Sequence, residues 1–250
     1  MTYASIAQPS HSASAPAAHR SAAPPASSHS QSANKPHQHR PRASVDGEHG
    51  GAQPRWGAPH PSANKPHRHR PVTSVEEEHV YVLTLRLSPS LRDPLNTLRT
   101  RYFPAERLKV PAHLTLFHAL PHSQLSEIQA TIERIAGETQ PFEVRTGEAF
   151  TLGNNGVAVS PGVGTKEGAA VHARLRKEWE GFLSKQDSKA FHAHWTVQNK
   201  VEKEEEVKKA FEEVTKWAKE EGAQGKADGL ELFRYERGYW RPYKEYAFGR

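Results

Sequence analysis

The chain has 250 residues, no cysteine, and 34 Lys/Arg against 28 Asp/Glu. The missing cysteine excludes disulfides, thiolate metal sites and a thiol nucleophile. No apolar run approaches the roughly 18 residues of a membrane-spanning helix, and no basic segment leads into an apolar one as in a secretory signal. These features point to an intracellular protein, cytoplasmic or nuclear, without membrane association.

Composition divides the chain. Residues 1–75 are dominated by Ala, Ser, Pro, His and Gly, with few larger apolar side chains. Such a segment buries too little apolar surface to offset its ordering entropy, which predicts a disordered tail over 1–75 and one folded domain over 76–250. The tail holds 8 of the 34 Lys/Arg and 2 of the 28 acids, leaving 26 of each for the domain. A neutral domain is not an extended nucleic-acid platform, which carries a basic surplus. It suits a small anionic substrate held by a few residues, while the basic tail suits weak polyanion binding. Within the tail, "SANKPHQHRPRASVDGEH" (32–49) recurs as "SANKPHRHRPVTSVEEEH" (62–79), with 13 of 18 positions identical. Two copies without an apolar face are not a solenoid. The pairs His37/His39 and His67/His69 are a weak metal signal by spacing alone.

From Glu76 the texture changes. "HVYVLTLRL" (79–87) alternates and reads as a strand. Asp93 as N-cap and Pro94 at the first position predict a helix with Leu95 and Leu98 on one face. "AHLTLFHAL" (112–120) reads as a strand, and Leu125, Ile128, Ile132 and Ile135 recur at helical spacing. "PFEVRTGEAF" (141–150) is a strand, joined by an Asn155-Gly156 hairpin turn to another at 152–160. Val171, Leu175, Trp179, Phe182 and Leu183 predict a helix over 166–186, "FHAHWTVQN" (191–199) a strand, and the stripe from Val207 to Trp217 a helix over 202–220. Strands near 229–236 and 243–249 close the chain. Helices and strands alternate in two similar halves, an α/β or α+β domain with pseudo-duplication.

Each half holds one His-x-Thr strand: Ala112-His113-Leu114-Thr115-Leu116, and Ala193-His194-Trp195-Thr196-Val197. One match arises readily by chance. Two, with matching flanks, 81 residues apart and one per half, are harder to dismiss. Period-2 alternation puts each histidine and its threonine on one face and the apolar residues on the other. His192 shares the parity of His194, whereas His118, His122 and His172 read as surface, turn or ordinary helix positions.

Cleaving a phosphodiester with water needs a base for the nucleophile and an acid for the leaving oxygen. Imidazole serves either role near neutral pH. The two must flank phosphorus, so one from each half is the natural source, and each threonine hydroxyl can donate to a non-bridging oxygen. No metal or cofactor is required. The candidate catalytic residues are His113 and His194, with Thr115 and Thr196 on the phosphate. Tyr102, Phe117 and Gln198 are possible substrate contacts, and segment 99–111 offers Arg101, Tyr102 and Lys109 as a substrate loop.

The motifs "HLTL" and "HWTV", in this strand–helix order, resemble the two-histidine (2H) phosphoesterase superfamily, which includes 2′-5′ RNA ligase-like proteins and cyclic nucleotide phosphodiesterases. The resemblance covers roughly 79–250. It implies a two-lobed fold with antiparallel-rich sheets around a central groove and helices outside. It also implies metal-independent action on 2′,3′-cyclic phosphates of RNA ends or small nucleotides, with His113 as base and His194 as acid. The chain is expected to be a monomer. Two other readings fit the same residues: a nucleotide- or RNA-binding module without turnover, and an RNA end-processing or 2′-5′ ligase-like factor whose tail adds affinity.

Overall fold

The computed structural model describes residues 70–249. Along them run β1 (Val80–Leu87), α1 (Pro89–Tyr102), β2 (Thr115–Pro121), α2 (Leu125–Gly137), β3 (Phe142–Thr151), β4 (Val157–Val163), α3 (Thr165–Glu178), β5 (Trp195–Gln198), α4 (Glu204–Glu220), β6 (Gln224–Glu236) and β7 (Tyr239–Ala247). Every strand pairing is antiparallel, in the order β2-β1-β6-β3-β4-β5, with β7 also on β6. Exchanging β1 with β4, β2 with β5 and β3 with β6 reproduces this order reversed, so the two halves are topologically equivalent and β7 is an addition.

The long strand β6 joins the halves. Gln224–Ala227 pair with β3, and from Gly229 onward β7 takes that edge while β1 keeps the other. Gly229 sits at the handover, where a Cβ would meet the Tyr246 carbonyl oxygen at 2.3 Å. Only glycine lets the backbones approach so closely. Helix α4 covers β3 and β4, whereas α2 packs on β2, β6 and β7 and against α3. Helix α1 leaves β1 and packs on β5, in the other half. One hydrophobic cluster runs through both halves, from Leu83 and Phe117 to Trp179 and Trp195. No helix among the described residues is long and apolar enough to cross a membrane.

Several boundaries differ from the sequence reading. Helix α1 starts a turn earlier, at Pro89 after Ser88, and Pro94 lies inside it. Pro89, which has no N–H to donate, loses nothing at the first position, where an N–H would find no helical partner. The buried stripe Leu91, Leu95 and Leu98 holds the helix across the bond Pro94 forfeits. Helix α3 ends at Glu178 rather than 186. The β3–β4 connection turns at Gly153, which has φ of +60°, rather than at Asn155-Gly156. Gly156 instead admits the Gln198 carbonyl, which a Cβ would approach to 2.4 Å. The compositional boundary at 75 falls inside packed chain: Pro71 is buried, and the Val72 N–H donates to the Phe182 carbonyl at 3.1 Å.

Candidate active site

Both His-x-Thr motifs keep the alternation expected of them. Leu114, Leu116, Trp195 and Val197 are at most 3% exposed, while His113, Thr115, His194 and Thr196 are half-buried. The histidines lie in the lead-in to each strand rather than its middle, since β2 begins at Thr115 and β5 at Trp195. This placement frees nearby carbonyls for the rings. His113 Nδ1 lies 2.7 Å from the Pro111 carbonyl oxygen, and His194 Nδ1 lies 3.0 Å from that of His192. A carbonyl only accepts, so each Nδ1 carries the hydrogen and each Nε2 is the nitrogen that exchanges protons. The same i−2 contact sets the same tautomer in both halves. His192, exposed, contributes its backbone.

The local charge is positive. Arg99, on α1, is 3% exposed; its Nη2 donates to the Val110 carbonyl at 3.0 Å and its Nη1 to the Thr196 carbonyl. Burial pushes the His113 imidazole down to about 4, against its bond to Pro111, and the charges of Arg99, His118 and His194 push the same way. His113 is therefore neutral at neutral pH. Burial also lowers Arg99, to about 10, which leaves it cationic there.

Aromatic rings flank both histidines. Trp240 lies 4.4 Å from His113 between ring centroids, and Phe150 lies 6.0 Å from His194. Trp240 also borders a cavity of about 710 Å³, lined as well by Val80, Val82, Ala119, Tyr235 and His118. Arg70, Pro71, Thr73, Glu76 and Glu77 complete the lining. That N-terminal strap is tied to Phe182 through Val72. At its other end the Glu77 carboxylate accepts from Ser123 N–H at 2.8 Å and Ser123 Oγ at 2.7 Å. Among the described residues no group of three or more His, Cys, Asp or Glu stands close enough to hold a metal ion. The pairs His37/His39 and His67/His69 lie outside the described residues.

The three possible substrate contacts lie elsewhere. Phe117 is fully buried and stacks on His172 at 4.7 Å. A bulge in β2 is the cause: Leu83 pairs with Phe117 and the next residue, Thr84, with Thr115, so the parity linking Phe117 to Thr115 is lost. Tyr102 Oη donates to Glu213 on α4, which also pairs with Arg101 at 2.6 Å, and Lys109 Nζ sits 4.6 Å over the Tyr239 ring. Gln198 is 3% exposed and turned to the Glu206 carbonyl at 3.5 Å. His122 Nδ1 bonds Tyr81 Oη at 3.0 Å, and His172 lies in the core between Phe117 and Phe191.

Arg99, Trp240, Phe150 and His118 are additions to the site. Arg99 had a signal: it follows Leu91 and Leu95 at four-residue steps, a cation on a buried stripe. His118 faces the cavity because of the bulge, which no pattern of residue types reveals.

The sequence model of the 2′-5′ RNA ligase superfamily matches residues 87–239, and the chain belongs to this superfamily. No curated protein matches the chain. Among solved structures, Escherichia coli LigT in its apo form is similar at 18% identity and a TM-score of 0.50, covering 70% of this chain and 100% of its own. A phosphoesterase is similar at 19% identity and a TM-score of 0.49, over 70% and 100% of the two chains. The protein TT0787 of Thermus thermophilus is similar at 15% identity and a TM-score of 0.49, over 68% and 99%.

Proposed function

We propose that the chain is a metal-independent phosphodiesterase that opens 2′,3′-cyclic phosphates of RNA ends or small nucleotides. The observation that carries this reading is the matched pair of histidines, each with Nδ1 bound to the carbonyl two residues back. His113, held neutral, takes a proton from water at Nε2 as the oxygen attacks phosphorus. His194, protonated, gives one to the departing ribose oxygen, so the ring opens to a monoester. At the end of a turnover His113 is protonated and His194 neutral, and exchange with solvent resets both. The hydroxyls of Thr115 and Thr196 donate to the non-bridging oxygens as charge builds on them. The two imidazoles supply both proton transfers. The cavity beside Trp240 is the place for the attached nucleoside, whose base can stack on the indole.

The test is hydrolysis of 2′,3′-cyclic mononucleotides and of a short RNA ending in a cyclic phosphate by the full chain, with and without EDTA. His113→Ala and His194→Ala should each lower the rate by about 10²–10⁴. EDTA-resistant turnover lost in both variants supports the reading. Turnover indifferent to both, or abolished by EDTA, defeats it.

A further inference from the structure

Arg99 is a buried cation without the usual company. Buried charges are normally paired with an opposite charge, yet among the described residues no carboxylate lies within ion-pair distance of it. Its neighbours on α1 differ: Arg92 meets Asp93 at 3.6 Å and Arg101 meets Glu213 at 2.6 Å. What Arg99 has instead are two backbone carbonyls, the Phe103 ring 4.7 Å from its guanidinium carbon, and a buried Nε without a hydrogen-bond partner. The two carbonyls come from different halves of the molecule. Val110 leads into His113, and Thr196 is the phosphate-facing residue of the second motif. One planar, always-charged fork therefore spans the two chain segments that must be held in register across the groove.

We propose that Arg99 is the fixed positive charge of this site, a positioning residue that ties the two His-x-Thr segments together and whose countercharge is the phosphate of the bound substrate. The inference rests on the phosphodiester reading above. The charge acts through the protein between α1 and the groove, where weak screening gives a single cation more reach than it has in water. A bound dianion or developing oxyanion supplies what the fold withholds from Arg99. An internal carboxylate at this position would cancel the field, which is why its absence matters to the site.

The experiment uses the full chain, inorganic phosphate as probe in calorimetry, and the variants Arg99→Lys and Arg99→Met. Wild type should bind phosphate, and Arg99→Met, checked for folding by circular dichroism, should bind it about tenfold or more weakly. That drop corresponds to about 1.4 kcal/mol. The acid limb of kcat/KM in Arg99→Met should move to higher pH, because His113 has lost a neighbouring cation while His118 and His194 still face it. Arg99→Lys keeps a charge on a group whose pKa burial lowers. Its phosphate affinity should fall with rising pH where the wild type's does not, and this holds the test open if Arg99→Met does not fold. A folded Arg99→Met with unchanged phosphate affinity and acid limb overturns the inference, as does a pH dependence in Arg99→Lys identical to wild type. Failure of wild type to bind phosphate overturns it too. Phosphate binding that responds to Arg99 in a protein without turnover leaves this inference standing and defeats the hydrolase reading instead.

Discussion

His118 binds Asp187 twice: its backbone N–H and its ring Nδ1 both meet Oδ1, at 2.9 and 3.0 Å. The other oxygen accepts from Ala119 N–H and Ser184 Oγ, each at 3.0 Å. One fully buried carboxylate thus fixes the bulged part of β2 and the His118 ring that faces the cavity. Burial by itself would raise the Asp187 pKa, but the bonds from His118 and Ser184 outweigh it and hold the carboxyl below its ordinary range. The unfolded chain then binds more protons, so this stabilisation is present above the ordinary carboxylate pKa of about 3.9 and is lost as pH falls through the lower folded value. Asp187→Ala leaves several buried donors unsatisfied and should cost about 2–4 kcal/mol in urea denaturation near neutral pH. The deficit should shrink at acid pH, and a pH-independent deficit would contradict the assignment.

The depressed His113 pKa makes a kinetic prediction of definite sign. A base must be neutral, so kcat/KM should persist as pH falls toward about 4 and decline only there, well below the ordinary 6.5 of an imidazole. Stability has the same direction. Between about 6.5 and about 4 the unfolded chain protonates at this position and the folded one does not, so stability falls with falling pH across that window. His172, also lowered to about 4 by burial, adds to the effect. His113→Gln should flatten the dependence of Tm on pH over this interval, and an unchanged slope would place the titration elsewhere.

Thr115→Val and Thr196→Val keep the shape and remove the hydroxyl. If each hydroxyl strengthens its bond to phosphate in the transition state, kcat should fall by about 10²–10³ with little change in KM. A rise in KM alone would assign the threonines to ground-state binding.

Phe117→Ala separates a core residue from a substrate contact. Deleting a fully buried ring should cost about 3–5 kcal/mol in denaturant unfolding, while KM of the remaining folded protein stays near wild type. A large rise in KM with little loss of stability would return Phe117 to the groove.

Trp240 offers the converse. Replacing it with Ala should weaken cyclic nucleotide binding by about 1–3 kcal/mol if a base stacks there. Inorganic phosphate, which has no base, should bind as before. Equal losses for both ligands would instead make Trp240 a support for the His113 ring.

Most of the elements, the similarity of the two halves and the paired motif are legible in the residue pattern, because alternation and helical spacing are local and survive without knowledge of neighbours. His113 with Thr115 and His194 with Thr196 stand out for that reason, each pair flanked by apolar residues that the core then claims. Whatever depends on partners distant in sequence emerges only once the chain is folded. The bulge opposite Leu83 and Thr84 is a mismatch between two strands, and it sends Phe117 into the core while His118 faces the cavity. The strap over the cavity begins in residues 71–75, polar enough by composition to read as tail, yet it is tied to Phe182 through Val72 and, past the boundary, to Ser123 through Glu77. Arg99 lies 97 residues from the Thr196 carbonyl it binds. Its place on the Leu91–Leu95 stripe marks it as buried, but only the folding of α1 onto the opposite half adds the Thr196 carbonyl to that of Val110.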